Sequence, residues 1–317
     1  MASSHAVGLA RLSPSSPFLS WWWLPQGWAT QGFVMLSGFT VATLFAPGPS
    51  TTHRVLRRAW QLLCVMFVSN LVMLLLKYAV IGQWPDLGLA WWIGLVTLRT
   101  PYSLSIVLLP IAAFLCTCPA LLALRGRVTP PALLAAAVGA DMAMWAVTST
   151  LAREYNGFSA VLFTELQLLP LVADGALGFA LGNLWKATAH RWRFILGTIA
   201  ASFGAGWAAT FAFIPIVSST AAAVLHFTLV LGVGAGLDRS RVCRRSLWVL
   251  PLIGTYGLFS FISHRVVIQT LVRVPSVSSA DLRYVIAFAG GMAVVAALCV
   301  LRRQYSVWDH ALRRIYL

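Results

Sequence analysis

Nine long apolar runs, separated by short basic connections, constrain this chain more than any motif within it. They fall at 29–46, 59–80, 102–124, 131–150, 157–184, 194–214, 219–237, 246–270 and 284–301. At a rise of about 1.5 Å per residue, a helix of about twenty apolar residues crosses the hydrocarbon core of a bilayer. No water is available there to satisfy backbone N–H and C=O groups, so only helices and closed barrels span. A barrel would show short alternating segments, and these runs are unbroken. Only 10% of the residues are charged, against about a quarter in soluble domains, and mean hydropathy is +0.82. The sequence therefore predicts an all-α, polytopic transmembrane helix bundle, one integral membrane domain over 1–317.

The charge pattern orients the spans. One set of connections holds Arg54, Arg57 and Arg58, then Arg125 and Arg127, then Lys186, Arg191 and Arg193; it continues with Arg239, Arg241, Arg244 and Arg245 and ends with Arg302, Arg303, Arg313 and Arg314. The opposite set holds Arg11, Arg99, Arg153, Arg265, Arg273 and Arg283. The positive-inside rule makes the richer set cytoplasmic, with 302–317 a cytoplasmic tail and 1–28 on the outer side. The net charge of +15 is thus spent on topology and anionic headgroups, and no basic face on a soluble module points to nucleic acid. Nine spans with an outer N-terminal segment lacking the marks of a signal peptide lead to a further expectation, a helix preceding residue 1 that makes ten in an intact chain. Two stretches are irregular: 85–98, with Trp91 and Trp92, is too short to span and reads as interfacial, and Pro170 in the run 157–184 predicts a tilt or kink. Cys64, Cys116, Cys118, Cys243 and Cys299 lack metal-ligand spacing and read as buried apolar thiols.

Ionisable groups inside spans are costly, which makes each a candidate for function. Asp141, Glu165, Asp174, His226 and His264 are the group here, while Lys77 lies near a span end, where it snorkels. Glu165 and Asp174, about two and a half turns apart, leave their helix on different faces. Each acid can pair with an Arg or hydrogen-bond a neighbouring helix, and the structural role is favoured over a functional one for each. His5, His226 and His264 fall toward the outer side, where an imidazole suits proton transfer from a hydroxyl; packing alone is the competing role. There is no phosphate-binding Gly-rich loop, no Gly-x-Ser-x-Gly elbow, no His-Glu-x-x-His and no Cys-x-x-Cys, so ATP hydrolysis, an α/β-hydrolase and a zinc protease are unsupported.

The first run carries Gln31-Gly32-Phe33-Val34-Met35-Leu36-Ser37-Gly38-Phe39, with small residues that let neighbouring backbones approach. With Arg54, Arg57 and Arg58 after it, this stretch resembles the second-helix region of acyltransferase-3-like membrane enzymes, nearest the OpgC branch that succinylates osmoregulated periplasmic glucans. Leu166-Gln167-Leu168-Leu169 with Gly175 and Gly178 is similar to the family's Gln-containing helix. The stretch from Gly254 through Gly257 and Ser260 to His264 is similar to its penultimate helix. The family opens with a helix bearing a His at its outer end, and Ser4-His5-Ala6 resembles that end, in agreement with the expected missing helix.

The resemblance implies a membrane-bound O-acyltransferase in a bacterial-type inner membrane. A succinyl-CoA or acetyl-CoA donor would meet Arg54, Arg57 and Arg58 from the cytoplasm, and a periplasmic or envelope glycan hydroxyl would be the acceptor. His5 would be the base and His264 its support, with no metal. Membrane lipids surround the chain, and the same arginines serve topology and lipid contact equally well. A transporter or flippase using Asp141, Glu165 and Asp174 as a proton path is the alternative, although no paired inverted repeats are evident. An inactive fragment of the acyltransferase is the third reading.

Overall fold

Proline marks where several helices begin. Pro49, Pro130 and Pro215 each open a helix, at the position where a missing N–H costs nothing and φ is already helical. The computed structural model describes residues 28–81, 88–89, 105–151, 168–188, 191–211, 215–239, 267 and 279–304. Its helices are α1 (Trp28–Leu44), α2 (Pro49–Ile81), α3 (Ser105–Leu124), α4 (Pro130–Leu151), α5 (Leu168–Ala187), α6 (Arg191–Phe211), α7 (Pro215–Arg239) and α8 (Ala280–Gln304). Among the described residues there are thus eight helices, not the nine spans expected, because 246–270 lies outside them apart from Val267. The all-α architecture holds. The segment 85–98 also lies outside, apart from Gly88 and Leu89.

Among the described residues five stretches are long and apolar enough to cross a membrane: Pro49–Val72, Val107–Leu124, Pro130–Thr148, Leu168–Ala187 and Ala280–Gln304. Two shorter apolar helices, Thr30–Leu44 and Thr220–Gly236, accompany them. Large apolar side chains such as Trp60, Phe203 and Val230 stand exposed on these helices. Lipid tails are as apolar as leucine, so such side chains carry no penalty in a bilayer. This corrects the reading of the thiols. Cys118 and Cys299 are buried, but Cys64 and Cys116 are exposed, because the outer surface of a membrane helix is apolar too. Pro170 is the third described residue of α5, and the residues before Leu168, on which the expected tilt or kink depends, lie outside the described residues.

The chain divides into two compact units, residues 30–235 and residues 1–29 with 236–317. In the first unit α2 packs on α3, α4 on α5 and α3 on α5. Phe114, Leu177, Phe179 and Leu181 are fully buried at its centre. Most polar side chains fold back on their own helix: Ser37 donates to the Phe33 carbonyl at 2.9 Å, Thr43 to Phe39 at 2.8 Å, Thr148 to Met144 at 2.8 Å and Asn183 to Phe179 at 2.8 Å. In lipid this satisfies the hydroxyl or amide without a partner helix. In the other unit α8 starts at the Ser279 cap, whose Oγ accepts from the Leu282 N–H at 3.4 Å. A π-helical turn over Ile286–Gly290 then interrupts it, beside a stacked Tyr284–Phe288 pair at 6.0 Å.

Small residues bring α1 against α5. A Cβ on Gly38 would run into the Gly175 carbonyl and lie 2.7 Å from the Phe179 nitrogen. One on Gly178 would strike the Met35 backbone, and one on Gly182 would lie 2.7 Å from the Ala42 Cβ. Gly175 in turn faces the Phe114 ring of α3. A Cβ on Gly32 meets nothing within 4 Å among the described residues, so of the two glycines in the first run it is Gly38 that serves helix approach there. Toward the end of the α1–α5 crossing, Phe39 meets Trp185 and Phe227 edge-on, each at 5.7 Å, and Trp185 meets Phe194 at 5.2 Å. These rings tie α1, α5, α6 and α7 together.

Candidate functional site

The close crossing of α1 and α5 leaves one buried polar centre, built from four helices. Asp141 of α4 and Asp174 of α5 have no solvent-exposed surface, and their carboxyl groups lie next to each other. Thr220 of α7 departs from the local habit of the other hydroxyls. Its Oγ1 reaches across to donate to Asp141 Oδ2 at 2.6 Å. Gln31 of α1 stands beside Asp174, and Trp145, one turn after Asp141 on α4, stands beside Asp141, both outside hydrogen-bond geometry. Asp141 Oδ1 and both oxygens of Asp174 have no hydrogen-bond partner among the described residues.

The depth of this centre follows from the helices that carry it. At about 1.5 Å per residue, Asp141 lies about 16 Å from the start of α4 and Asp174 about 20 Å from the end of α5. Those two ends lie on the same side of the unit, where both line one cavity, so the carboxyls lie in from that side by a distance comparable with half of a hydrocarbon core of about 30 Å. Adjacent carboxyl groups away from water repel when both are charged, which is why such pairs trade protons and mark pathways in membranes. The centre can accept, hold or pass a proton, and can hydrogen-bond a polar ligand brought between α1, α4, α5 and α7.

No family model, curated protein or solved structure matches this chain. The chemistry of the site therefore rests on its own geometry. Of the residues singled out from sequence, the structure brings Asp141 and Asp174 together. His226, half-buried on α7, has its Nδ1 at 2.7 Å from the Ala222 carbonyl of its own helix, which places the proton on Nδ1 for that contact. Arg54 and Arg57 are exposed and Arg58 half-buried on the first turns of α2. Positive groups at a helix start run against its dipole, so their position is set by topology or by a ligand. His5, Glu165 and His264 lie outside the described residues.

Three members of the centre, Gln31, Thr220 and Trp145, were not expected as site residues. Gln31 opens the motif stretch, and its place in that motif was the only signal for it. Thr220 had none, since threonine in an apolar helix usually bonds its own backbone.

Proposed function

We propose that this chain is a membrane-bound O-acyltransferase that moves an acyl group, succinyl or acetyl, from a cytoplasmic acyl-CoA to a hydroxyl of a periplasmic or envelope glycan. One observation carries the reading beyond the motifs themselves. Two of the stretches that resemble family helices pack on each other, Gly38 against Gly175 and Met35 against Gly178, and they set Gln31 beside the buried Asp174. The packing of these two stretches thus brings Gln31, quoted for the resemblance, to one buried polar centre, a feature that a pathway between the two membrane faces would use.

In this reading His5 takes the proton from the glycan hydroxyl, with His264 orienting it. The freed oxygen attacks the thioester carbonyl, the C–S bond breaks, and the CoA thiolate leaves and is protonated. Arg54, Arg57 and Arg58 offer charge to the donor phosphates, and Asp141 and Asp174 line the path between donor and acceptor. The test is label transfer from radiolabelled succinyl-CoA or acetyl-CoA into envelope glycans in membranes carrying the chain. Transfer is expected to fall by about 100-fold or more in His5→Ala, as for loss of a general base. Undiminished transfer in both His5→Ala and His264→Ala would remove the histidine mechanism, and no donor-dependent transfer at all would remove acyl transfer.

The mid-depth carboxyl pair favours a second reading, a proton-coupled transporter or flippase for a lipid-linked or small substrate. Its signature is a substrate-dependent proton flux in proteoliposomes, abolished by Asp174→Asn, in preparations that transfer no label.

A further inference from the structure

A second concavity lies at the end of the same unit where the cations gather. The turn joining α3 to α4 is tight: Gly126 takes a φ of 95°, a left-handed value that suits glycine, and the Arg127 N–H bonds the Leu124 carbonyl at 3.0 Å. This turn and the last turn of α5 enclose a cavity of about 530 Å³, lined among others by Arg125, Arg127, Thr129, Asn183 and Lys186. The volume is that of a small-molecule site.

Among the described residues three cations line this cavity and no acid does. Arg125 is fixed there by its own fold, since Nη1 donates to the Ala42 carbonyl at 3.1 Å and to the Phe45 carbonyl at 2.9 Å at the end of α1. Lys186 lies near enough to Arg125 to feel its charge. A loop that only set topology could spread its cations into solvent. Here Arg125 is held in place and Arg127 and Lys186 line the same concavity, so a bound anion would relieve the repulsion among three like charges. Thr129 and Asn183 add neutral polar groups beside them.

We infer that the cavity formed by the α3–α4 turn and the end of α5 is a binding site for a phosphate-bearing ligand of nucleotide size, held by Arg125, Arg127 and Lys186. Arg54 and Arg57 of α2 are not among the described residues that line it, and the site does not depend on acyl transfer being the reaction. Its ligand is either a soluble diphosphate or the headgroup of an anionic lipid, which share the phosphate chemistry that these cations recognise.

Titration calorimetry with ADP and with inorganic pyrophosphate, on the full chain in nanodiscs of neutral lipid, tests the first source. Native mass spectrometry of retained phosphatidylglycerol, on the chain in neutral detergent, tests the second. Arg127→Gln and Lys186→Gln are suitable variants because both side chains are exposed and neither caps a helix in the way Arg125 does. Each should weaken ADP and pyrophosphate binding by about tenfold or more, the loss expected for a charge-assisted hydrogen bond, while Arg303→Gln, an exposed cation of α8 with no part in either site, leaves it unchanged. If neither probe binds, but phosphatidylglycerol is retained and lost in the two variants, the phosphate belongs to a lipid. Binding that the two variants leave intact would overturn the inference, as would the absence of both nucleotide binding and lipid retention. Label transfer in the acyl-CoA assay is a separate readout, so failure here and failure of the acyltransferase reading remain distinguishable.

Discussion

At the scale of single residues, the question is what holds two acids in an apolar bundle. Thr220 supplies the bond at 2.6 Å to Asp141, and removing it leaves a buried carboxyl short of its donor, a loss of about 1–3 kcal/mol. Thr220→Val should therefore lower stability by about that amount, measured by reversible unfolding in mixed micelles, and should cost close to nothing in an Asp141→Leu background. Equal losses in both backgrounds would mean that Thr220 acts through packing. Asp141 and Asp174 were legible in the sequence as expensive groups, since any ionisable side chain inside an apolar run is conspicuous. That they face each other was not legible. They sit on separate helices, and no periodicity within one helix reports the rotation of another. Thr220 was invisible for a different reason: its neighbour Thr228 donates to its own helix at the Val224 carbonyl, at 2.8 Å, and sequence cannot say which hydroxyl turns outward.

At the scale of elements, the α1–α5 crossing decides whether the polar centre exists. Gly38→Ala places a methyl group against the Gly175 carbonyl and the Phe179 nitrogen. Both obstacles are backbone, so the helices must separate, and a loss of about 1–3 kcal/mol, the usual cost of overpacking, is expected. Gly32→Ala meets open space and should be neutral or gain up to about 1 kcal/mol from helix propensity. Thermal unfolding of the two variants side by side checks the contrast, and similar behaviour would mean that α1 and α5 do not cross at Gly38. The composition of the first run announced close packing, but both glycines looked alike in sequence; only the angular position of α5 distinguishes them. Arg125 gives a related prediction. Its Nη1 satisfies two carbonyls at the end of α1, groups that no later turn of helix can bond. Arg125→Gln should cost about 1.5–3 kcal/mol as a charge-assisted contact, read in the same unfolding assay.

For the molecule as a whole, charge and fold agree on one axis. Arg125 bonds the end of α1, and with Arg127 and Lys186 it lines one cavity, so in the unit of residues 30–235 cations far apart in sequence gather at one end. Alternation of basic connections was legible because orientation depends on local charge counts, which need no tertiary information. The cavity was not, because it depends on how the α3–α4 turn sits against α5. If the basic end is cytoplasmic, side-specific labelling should divide the chain along that axis. In a background with all five cysteines replaced, Arg54→Cys and Arg127→Cys should react with a membrane-impermeant maleimide only in inverted vesicles. Leu89→Cys, exposed in a segment that follows α2, should react only in right-side-out vesicles. Prior replacement matters because Cys64 and Cys116 are exposed along apolar helices, and reagent reaching them would blur the sidedness. Labelling of Arg127→Cys from the outer face would reverse the bundle, placing the cationic cavity on the side away from any cytoplasmic nucleotide and leaving an anionic lipid as its only natural source of phosphate.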